Sequence, residues 1–286
     1  MAPFGFRGYN ARVRNAAALA VALGIVIAPT AAAAPRPHVE RARAGVVEVT
    51  FSYAYDAAKF GFSRQRLVIR RAGVTRFAAA LRRPPSPGGR AQPANYFDHR
   101  RSVSVRDLDG DGEPEVVLDL YWGGAHCCWY TQIYRYVSAA GTYRPLVHVW
   151  GNLPYRLEDL DRVGTPELVA HDNRFSYAFS SFADSRWPIR ILRYGAGTLT
   201  FVTRSYARQI GHDATALWKE SMSPAGKRDN YGRLAAWAAD ECMLGHSGAA
   251  FATLEQLRLS GRLHGQPKPA AYLKHLRRFL RRTGYL

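Results

Sequence analysis

A short segment near the middle of the chain concentrates acidic side chains. Residues 107–115 have the sequence DLDGDGEPE, and the apolar run VVL follows at residues 116–118. Together with Asp119, this stretch holds six of the 22 acidic residues of a protein whose formal net charge is +18. Carboxylates this close together repel one another unless a cation neutralises them. We therefore expect a bound cation to determine how this segment folds.

Oxygen ligands at alternate positions of a glycine-containing loop are typical of calcium sites. An EF-hand loop has glycine at position 6 and glutamate at position 12. Gly112 fits the first requirement, but Leu118 stands at the second. The flanking residues alternate between apolar and polar, which predicts strands rather than helices. We therefore expect a Ca²⁺ loop between two strands, closed by Glu115 at position 9. The alternative is a solvated acidic turn without metal.

The acidic segment recurs once along the chain. Residues 159–169 (DLDRVGTPELV) align without a gap with residues 107–117 (DLDGDGEPEVV) and match at seven of eleven positions. Val163 replaces the carboxylate at position 5, which leaves Asp159, Asp161 and Glu167 as ligand-type side chains. Three carboxylates suffice only for a weak second site. The sequence favours a metal-free turn that keeps the shape of the first loop.

These loops and their strand context resemble the FG-GAP/VCBS-type repeat, the calcium-binding blade motif of integrin-like propellers and many secreted bacterial proteins. The resemblance covers residues 106–122 well and residues 158–172 weakly, less than half of the chain. Two clear units are fewer than the four blades of a closed propeller. The resemblance implies a calcium site whose side-chain ligands are Asp107, Asp109, Asp111 and Glu115, with Glu113 offering its backbone carbonyl.

Hydrophobic periodicity divides the rest of the chain into a β-rich part and a helical part. Alternation of period two begins at Val47 and recurs up to residue 205, whereas later apolar residues recur at helical spacing. The predicted fold class is α+β, an antiparallel β-repeat of partial propeller-like or curled sheets followed by a C-terminal α-helical module. We assign residues 45–205 to the β-repeat domain and residues 206–286 to the helical module packed on it.

The first 33 residues have the pattern of a secretory signal peptide. A positively charged stretch precedes the apolar residues 16–27, and the alanines at residues 31–33 offer a cleavage site. Residues 34–44 are rich in proline and arginine, and we expect them to be a flexible lead-in. No later apolar run is long enough to cross a bilayer. We therefore expect a secreted or envelope-located protein with no transmembrane span in the mature chain.

The three cysteines allow several arrangements. Adjacent residues of an extended segment point to opposite faces, so either Cys127 or Cys128 can pair with Cys242, and we favour this bridge. A vicinal bridge between Cys127 and Cys128 and three free thiols are the alternatives. A further alternative is a zinc site in which His126, His246 and Cys242 are joined by one cysteine of the pair.

Motifs of known catalytic chemistry are scarce. The sequence has no G-x-S-x-G elbow, no H-E-x-x-H helix and no phosphate-binding loop. Asp119 and Asp172 are the isolated acids that a hydrolase would have at its disposal. The enzyme question stays open, with a non-catalytic binding or envelope-associated role favoured. The alternatives are a secreted hydrolase of an anionic polymer, built on the β-repeat, and a binder of anionic surfaces.

The positive charge of the chain bears on its partners. A strong excess of arginine attracts anionic molecules over long distances. An acidic glycan, an acidic lipid, a cell-envelope polymer or a protein are therefore candidate partners, and nucleic acid is not favoured. The last predicted helix has a basic side that suits a membrane surface, although its apolar side equally suits the protein core.

Overall fold

The computed structural model describes residues 36–57, 61–81, 89–98, 100–124 and 127–286. The predicted signal peptide, the first two residues of the predicted lead-in and His126 lie outside this part of the chain. Three open antiparallel sheets follow one another along the described sequence, and helices follow the sheets. The predicted α+β class is confirmed.

The first sheet is a four-stranded antiparallel meander. Its strands are β1 (Arg36–Ala44), β2 (Val47–Asp56), β3 (Gly61–Arg71) and β4 (Val74–Ala80). The expectation of a flexible lead-in is wrong for β1, which pairs with β2 from Arg36 opposite Tyr55 to Ala44 opposite Val47. The proline and the charged side chains did not prevent pairing because β1 is an edge strand, where both are tolerated.

The second sheet contains the predicted acidic loop between two strands, followed by a hairpin. Its strands are β5 (Gln92–Pro93), β6 (Val103–Arg106), β7 (Glu115–Tyr121), β8 (Trp129–Val137) and β9 (Thr142–Gly151), with the short helix α1 (Asn95–Asp98) after β5. The first acidic loop, residues 107–115, connects β6 to β7. The hairpin between β8 and β9 turns through Gly141, whose φ of +62° suits glycine.

The third sheet repeats this order of strands. It consists of β10 (Arg156–Glu158), β11 (Glu167–His171), β12 (Ile189–Gly195) and β13 (Thr198–Phe201). The second acidic loop, residues 159–167, connects β10 to β11. The hairpin of β12 and β13 corresponds to the hairpin of β8 and β9.

The second sheet lies between the first and the third, and strand β7 shows why. Val116 and Leu118 pack with residues of the first sheet such as Phe51. Val117, which points to the other face, packs with Leu168 of the third sheet. A strand that is buried on both faces has a continuous apolar run instead of an alternating one. The run VVL at residues 116–118 is the sequence signature of this middle layer.

Four longer helices complete the described chain, namely α2 (Ala207–Ser221), α3 (Tyr231–Met243), α4 (Ser247–Leu259) and α5 (Pro269–Thr283). α2 covers the outer face of the third sheet, where Ile210 packs with Val169 and Ile191. Gly284, with a φ of +81°, caps the C-terminal end of α5. Within the described residues, no helix has the length and apolar character needed to cross a membrane.

The apolar side of α5 is part of the helical core. Tyr272, Leu276 and Leu280 are fully buried there. Binding of α5 flat on a membrane would require these side chains to leave the core. The basic side of the helix is therefore the part that stays available to solvent.

The expected disulfide between the sheets and the helices is not present. Cys242 is a free, buried thiol that packs in the helical core. Burial raises the pKa of this thiol to about 11, so that it behaves as a small apolar side chain. The prediction failed because sequence separation and cysteine parity say nothing about which face of α3 carries Cys242.

Candidate metal centre

The first acidic loop is folded by its own first carboxylate. Asp107 accepts hydrogen bonds from the backbone nitrogens of Gly110 at 2.7 Å and Gly112 at 2.9 Å. Both glycines have positive φ values, +76° and +82°, which other residues adopt at a cost. The alternation of aspartate and glycine thus brings the chain into a tight coil around one side chain.

Three of the predicted ligands meet inside this coil. Asp107, Asp109 and Glu115 each have one carboxylate oxygen within 4.8 Å of the others. Glu115, the first residue of β7, is only 1% exposed. Its Oε2 accepts a hydrogen bond from the backbone nitrogen of Leu108 at 3.1 Å. The strand therefore holds the closing carboxylate rigidly beneath the loop.

Two oxygens of this group have no partner. Asp109 Oδ2 accepts a hydrogen bond from the backbone nitrogen of Ala196 at 2.9 Å. Asp109 Oδ1 and Glu115 Oε1, however, are buried without any hydrogen-bond partner among the described residues. A buried carboxylate oxygen that lacks a donor or a cation is costly. The arrangement therefore has room and charge for a cation.

The pKa of Glu115 also indicates that this carboxylate lacks a positive charge beside it among the described residues. Burial, followed by the negative charges of Asp109, Asp111 and Asp107, raises the pKa of Glu115 to about 8. The hydrogen bond from Leu108 opposes this rise only in part. A bound divalent cation would favour the ionised carboxylate and reverse the shift.

The two remaining predicted ligands lie at the rim of the loop. Asp111 accepts a hydrogen bond from the backbone nitrogen of Glu113 at 2.8 Å, and its Oδ2 is 3.9 Å from Arg135 Nη2. The carboxylate of Glu113 pairs with Arg71 of β3, which leaves only the backbone carbonyl that the resemblance implies for this residue. The converging donor set is therefore three carboxylates, all of them oxygen ligands of the kind that Ca²⁺ prefers.

The second acidic loop has the same backbone framework. Asp159 accepts hydrogen bonds from the backbone nitrogens of Val163 at 3.1 Å and Gly164 at 3.0 Å. Glu167 Oε2 accepts one from the backbone nitrogen of Leu160 at 3.1 Å, as Glu115 does from Leu108. Asp159, Asp161 and Glu167 again converge within 4.8 Å.

The second loop differs in that an arginine occupies it. Arg193 Nη2 donates hydrogen bonds to Asp161 Oδ2 and to Glu167 Oε1, both at 2.7 Å. Its Nε donates a third to Glu167 Oε1 at 3.1 Å, and the hydroxyl of Tyr206 is 3.2 Å from Asp161 Oδ2. Unlike Asp109 and Glu115, neither carboxylate is among the buried unpartnered groups of the described chain. The guanidinium thus supplies the positive charge of this loop.

The corresponding residue of the first unit is also an arginine. Val116 pairs with Tyr134 in the second sheet, and Leu168 pairs with Leu192 in the third. One residue further along the hairpin strand lie Arg135 and Arg193, which are therefore equivalent. Arg135 faces Asp111 at the rim, whereas the second loop has Val163 at that position. The arginine therefore lies at the rim where position 5 is an aspartate and inside the loop where position 5 is a valine.

The two isolated acids that a hydrolase might use are both engaged. Asp119 accepts hydrogen bonds from the hydroxyls of Thr131 at 2.6 Å and Tyr155 at 3.1 Å. Asp172 is fully buried. Burial alone would raise the pKa of Asp172, but hydrogen bonds from Arg174 and the charge of Arg190 hold it below its usual value. Both carboxylates serve as structural acceptors.

The zinc alternative gains no support from the residues that the structure describes. Cys242 is buried in the helical core, while His246 is exposed at the start of α4 and its Nδ1 is 2.9 Å from Glu241 Oε2. Throughout the described ranges, the two acidic loops are the only groups in which three ligand-type side chains converge.

Sequence reasoning missed two contributors to these loops, Arg193 and the backbone nitrogen of Ala196. No local pattern indicates Arg193, because the register of β11 and β12, in which Leu168 pairs with Leu192, brings it to Glu167. Ala196 lies in the turn between β12 and β13 and contacts the first loop only through the stacking of the sheets.

No protein-family model matches the chain, and no solved structure matches it. The probable thylakoid lumen protein sll0997 of Synechocystis sp. is 30% identical over 159 residues, which are 53% of this chain and 46% of that protein. The uncharacterized protein y4bJ of Sinorhizobium fredii is 31% identical over 146 residues, which are 49% of this chain and 22% of that protein. The chain thus matches less than half the length of these curated relatives.

Proposed function

We propose that the chain is an exported, non-catalytic β-repeat protein that is stabilised by one Ca²⁺ ion in the first acidic loop. The observation that carries this proposal is the pair of buried, unpartnered oxygens, Asp109 Oδ1 and Glu115 Oε1. A cation between them would remove the cost of burying unpaired charge. The donors are all oxygens, which suits Ca²⁺ better than a softer transition metal.

The position of the loop gives such an ion a mechanical role. Asp109 belongs to the second sheet's loop but accepts its hydrogen bond from Ala196 of the third sheet. At Gly110 the two acidic loops touch, because a Cβ there would lie 2.8 Å from Thr165 Cγ2. A cation held by Asp107, Asp109 and Glu115 would therefore fix the junction between two sheets, in addition to its own loop.

The proposal includes one metal site rather than two. Arg193 already places a guanidinium against Asp161 and Glu167, so the second loop is neutralised within the chain. The two loops are then equivalent elements that use different cations. The shared backbone framework of the two loops supports the proposed relation to FG-GAP/VCBS-type repeats.

Export is supported by the leader-like residues 1–33 and by similarity to a probable thylakoid lumen protein. A non-catalytic role is supported by the engagement of Asp119 and Asp172 in structural hydrogen bonds. The charge of +18 supports an anionic partner, for which an acidic glycan or a cell-envelope polymer is our candidate.

The decisive experiment measures thermal unfolding of the chain in EDTA and then with excess Ca²⁺ or Mg²⁺. Calcium at about 100 times its dissociation constant should raise the melting temperature by about 5–10 °C, and equal Mg²⁺ should have a much smaller effect. Calorimetric titration should give one site per chain. A melting temperature that does not respond to chelation would refute the proposal.

A matched pair of variants assigns the effect to the correct loop. Asp109→Asn should abolish the calcium-dependent stabilisation, because it removes a ligand of the first loop. Asp161→Asn is the same change at the equivalent position of the second loop, where Arg193 provides the charge. We expect it to lower the melting temperature modestly but to leave the calcium response intact. Loss of the response in Asp161→Asn alone would place the metal in the second loop.

A further inference from the structure

A cavity of about 350 Å³ lies where the third sheet meets the helical module. Three arginines line it, and each comes from a different element. Arg174 is in a turn after β11, Arg190 is in β12, and Arg204 is in the turn that precedes α2. We refer to Arg174, Arg190 and Arg204 with this cavity as the arginine pocket. It is separate from both acidic loops, none of whose residues lines it.

Two groups hold the three guanidinium groups near one another. Asp172 accepts hydrogen bonds from Arg174 Nε at 2.9 and 3.0 Å and lies 3.7 Å from Arg190 Nη1. Backbone carbonyl groups at the C-terminal end of α5 hold two of the guanidinium groups. Arg174 donates to the carbonyl of Thr283 at 3.2 Å, and Arg204 donates to that of Gly284 at 3.5 Å.

The pocket carries an excess of positive charge. Its three guanidinium groups are opposed by one carboxylate, Asp172, and by the C-terminal end of α5, which counts as about half a negative charge. No other acidic side chain lines the cavity in the described part of the chain. Between one and two positive charges therefore remain uncompensated, which is close to the charge of a phosphate dianion.

Arg190 lies in the pocket against one carboxylate and one aromatic ring. Its side chain is 26% exposed and its guanidinium carbon lies 3.8 Å from the centroid of the Phe201 ring. Among the residues that the structure describes, none accepts a hydrogen bond from its guanidinium. Burial, opposed by the charge of Asp172, lowers the pKa of Arg190. A cation in this environment gains from any anion that enters the cavity.

The excess of positive charge also acts on a neighbouring histidine. A second cavity of about 240 Å³ shares Arg174, Arg190 and Phe201 with the first. His148 also lines this second cavity. Burial, with a further contribution from the charge of Arg190, lowers the pKa of His148 to about 4. His148 is therefore neutral near pH 7, so it neither adds to nor reduces the charge of the pocket.

We propose that the arginine pocket binds a phosphate dianion, either free or as the phosphoryl group of a small monoester. Arginine forks donate paired hydrogen bonds to phosphate oxygens. Arg190 donates no hydrogen bond within the described residues, although its Nη1 lies 3.7 Å from Asp172, and Arg174 and Arg204 flank it. The Phe201 ring beside Arg190 offers an apolar surface to the organic part of a monoester. The site does not depend on metal in the acidic loops.

The test is calorimetric titration of the full chain with inorganic phosphate near neutral pH, at fixed ionic strength and without added calcium, so that calcium phosphate does not form. Parallel titrations with glycerol phosphate and with acetate show whether the pocket prefers a phosphate monoester, free phosphate or a carboxylate. Tighter binding of glycerol phosphate than of inorganic phosphate would identify a monoester site. Comparable binding of the two would identify a site for the free ion. Absence of phosphate binding, or preference for acetate, would overturn the proposal.

Variants connect binding to the pocket. Arg190→Met removes the charge but retains an unbranched side chain over Phe201, and it should weaken phosphate binding by at least about tenfold. Arg208→Met, at an exposed position of α2 outside the pocket, is the matched control and should bind as the parent does. If Arg190→Met does not fold, Arg204→Met replaces it, because Arg204 is exposed and its described hydrogen bonds go to backbone carbonyls alone. Unchanged affinity in the folded pocket variant would refute the assignment.

Discussion

Arg193 Nη2 lies 2.7 Å from Glu167 Oε1, whereas Oε1 of the equivalent Glu115 in the first acidic loop has no hydrogen-bond partner among the described residues. Glu167 is fully buried, so its charge must be balanced within the protein. Among the described residues, no guanidinium contacts the equivalent Glu115 of the first loop, and the pKa of Glu115 rises to about 8 because of burial and the neighbouring aspartates. The buried glutamate beneath the acidic coil is thus paired with an arginine in the second loop and has a raised pKa in the first.

Replacement of Arg193 by methionine should open the second loop to calcium. The variant loses the ion pairs with Asp161 and Glu167, and a buried charge left unpaired costs about 3–5 kcal/mol. We therefore expect a marked loss of stability in EDTA, recovery in Ca²⁺, and a rise from one to two calcium ions per chain by calorimetry.

Arg135→Met is the matched control for this change. Arg135 is at the equivalent position, but its contact with Asp111 is a 3.9 Å approach at the rim of the first loop. The number of bound calcium ions should stay at one. A count of one in Arg193→Met as well, in a protein that is folded, would show that the arginine does not exclude the metal.

The raised pKa of Glu115 predicts how stability without metal depends on pH. A carboxyl whose pKa is higher in the folded than in the unfolded state contributes stability below its unfolded value of about 4.5, and this stability is lost as the pH rises towards about 8. Denaturant unfolding in EDTA should therefore show a free energy of unfolding that falls by a few kcal/mol over this range.

Glu115→Gln isolates this contribution. Glutamine cannot ionise, so the decline between about pH 4.5 and 8 should be much smaller in the variant than in the parent chain. The variant should also fail to bind calcium, since it lacks the closing carboxylate. A parent chain whose stability in EDTA is level across this range would show that Glu115 is already ionised at low pH.

The sequence predicted the first acidic loop and its strands because both depend on local residues. Asp107 and the two glycines fold the coil through hydrogen bonds within six residues, and the alternation of β2 records which face is buried. The failures concern contacts between distant elements. Cys242 was expected to meet the vicinal cysteines, but the orientation of α3 turns it into the helical core. Arg193 was missed because the register of a hairpin, rather than a local pattern, brings it to Glu167.

Asp240 should destabilise the folded protein at neutral pH. It is fully buried in α3, where its carboxyl group lies against the carboxylate of Asp213 and the backbone nitrogen of Ile189. Burial and the negative charge of Asp213 raise the pKa of Asp240 well above its usual value. The stability that it contributes is therefore complete only below about pH 4 and declines as the pH rises.

Asp240→Asn is nearly isosteric and removes the ionisation. We expect the melting temperature at neutral pH to rise or stay constant, and its decline with increasing pH to become smaller. Asp184→Asn provides the contrast, because Asp184 pairs with Arg233 at 3.2 Å and its loss should lower stability at neutral pH. A melting temperature that falls in Asp240→Asn would show that the carboxylate has a favourable partner in solution.

Restoring the missing carboxylate of the second loop should convert it into a metal site without removal of its arginine. Val163 is 68% exposed, so aspartate can replace it at little cost in packing. An aspartate there would attract Arg193 as Asp111 attracts Arg135, and Asp161 and Glu167 would be left for a cation. Val163→Asp should therefore bind a second calcium ion in calorimetric titration. Val163→Asn has a side chain of the same size without the charge and should bind one. Two ions in both variants, or one in both, would show that position 5 does not control the arginine through its charge.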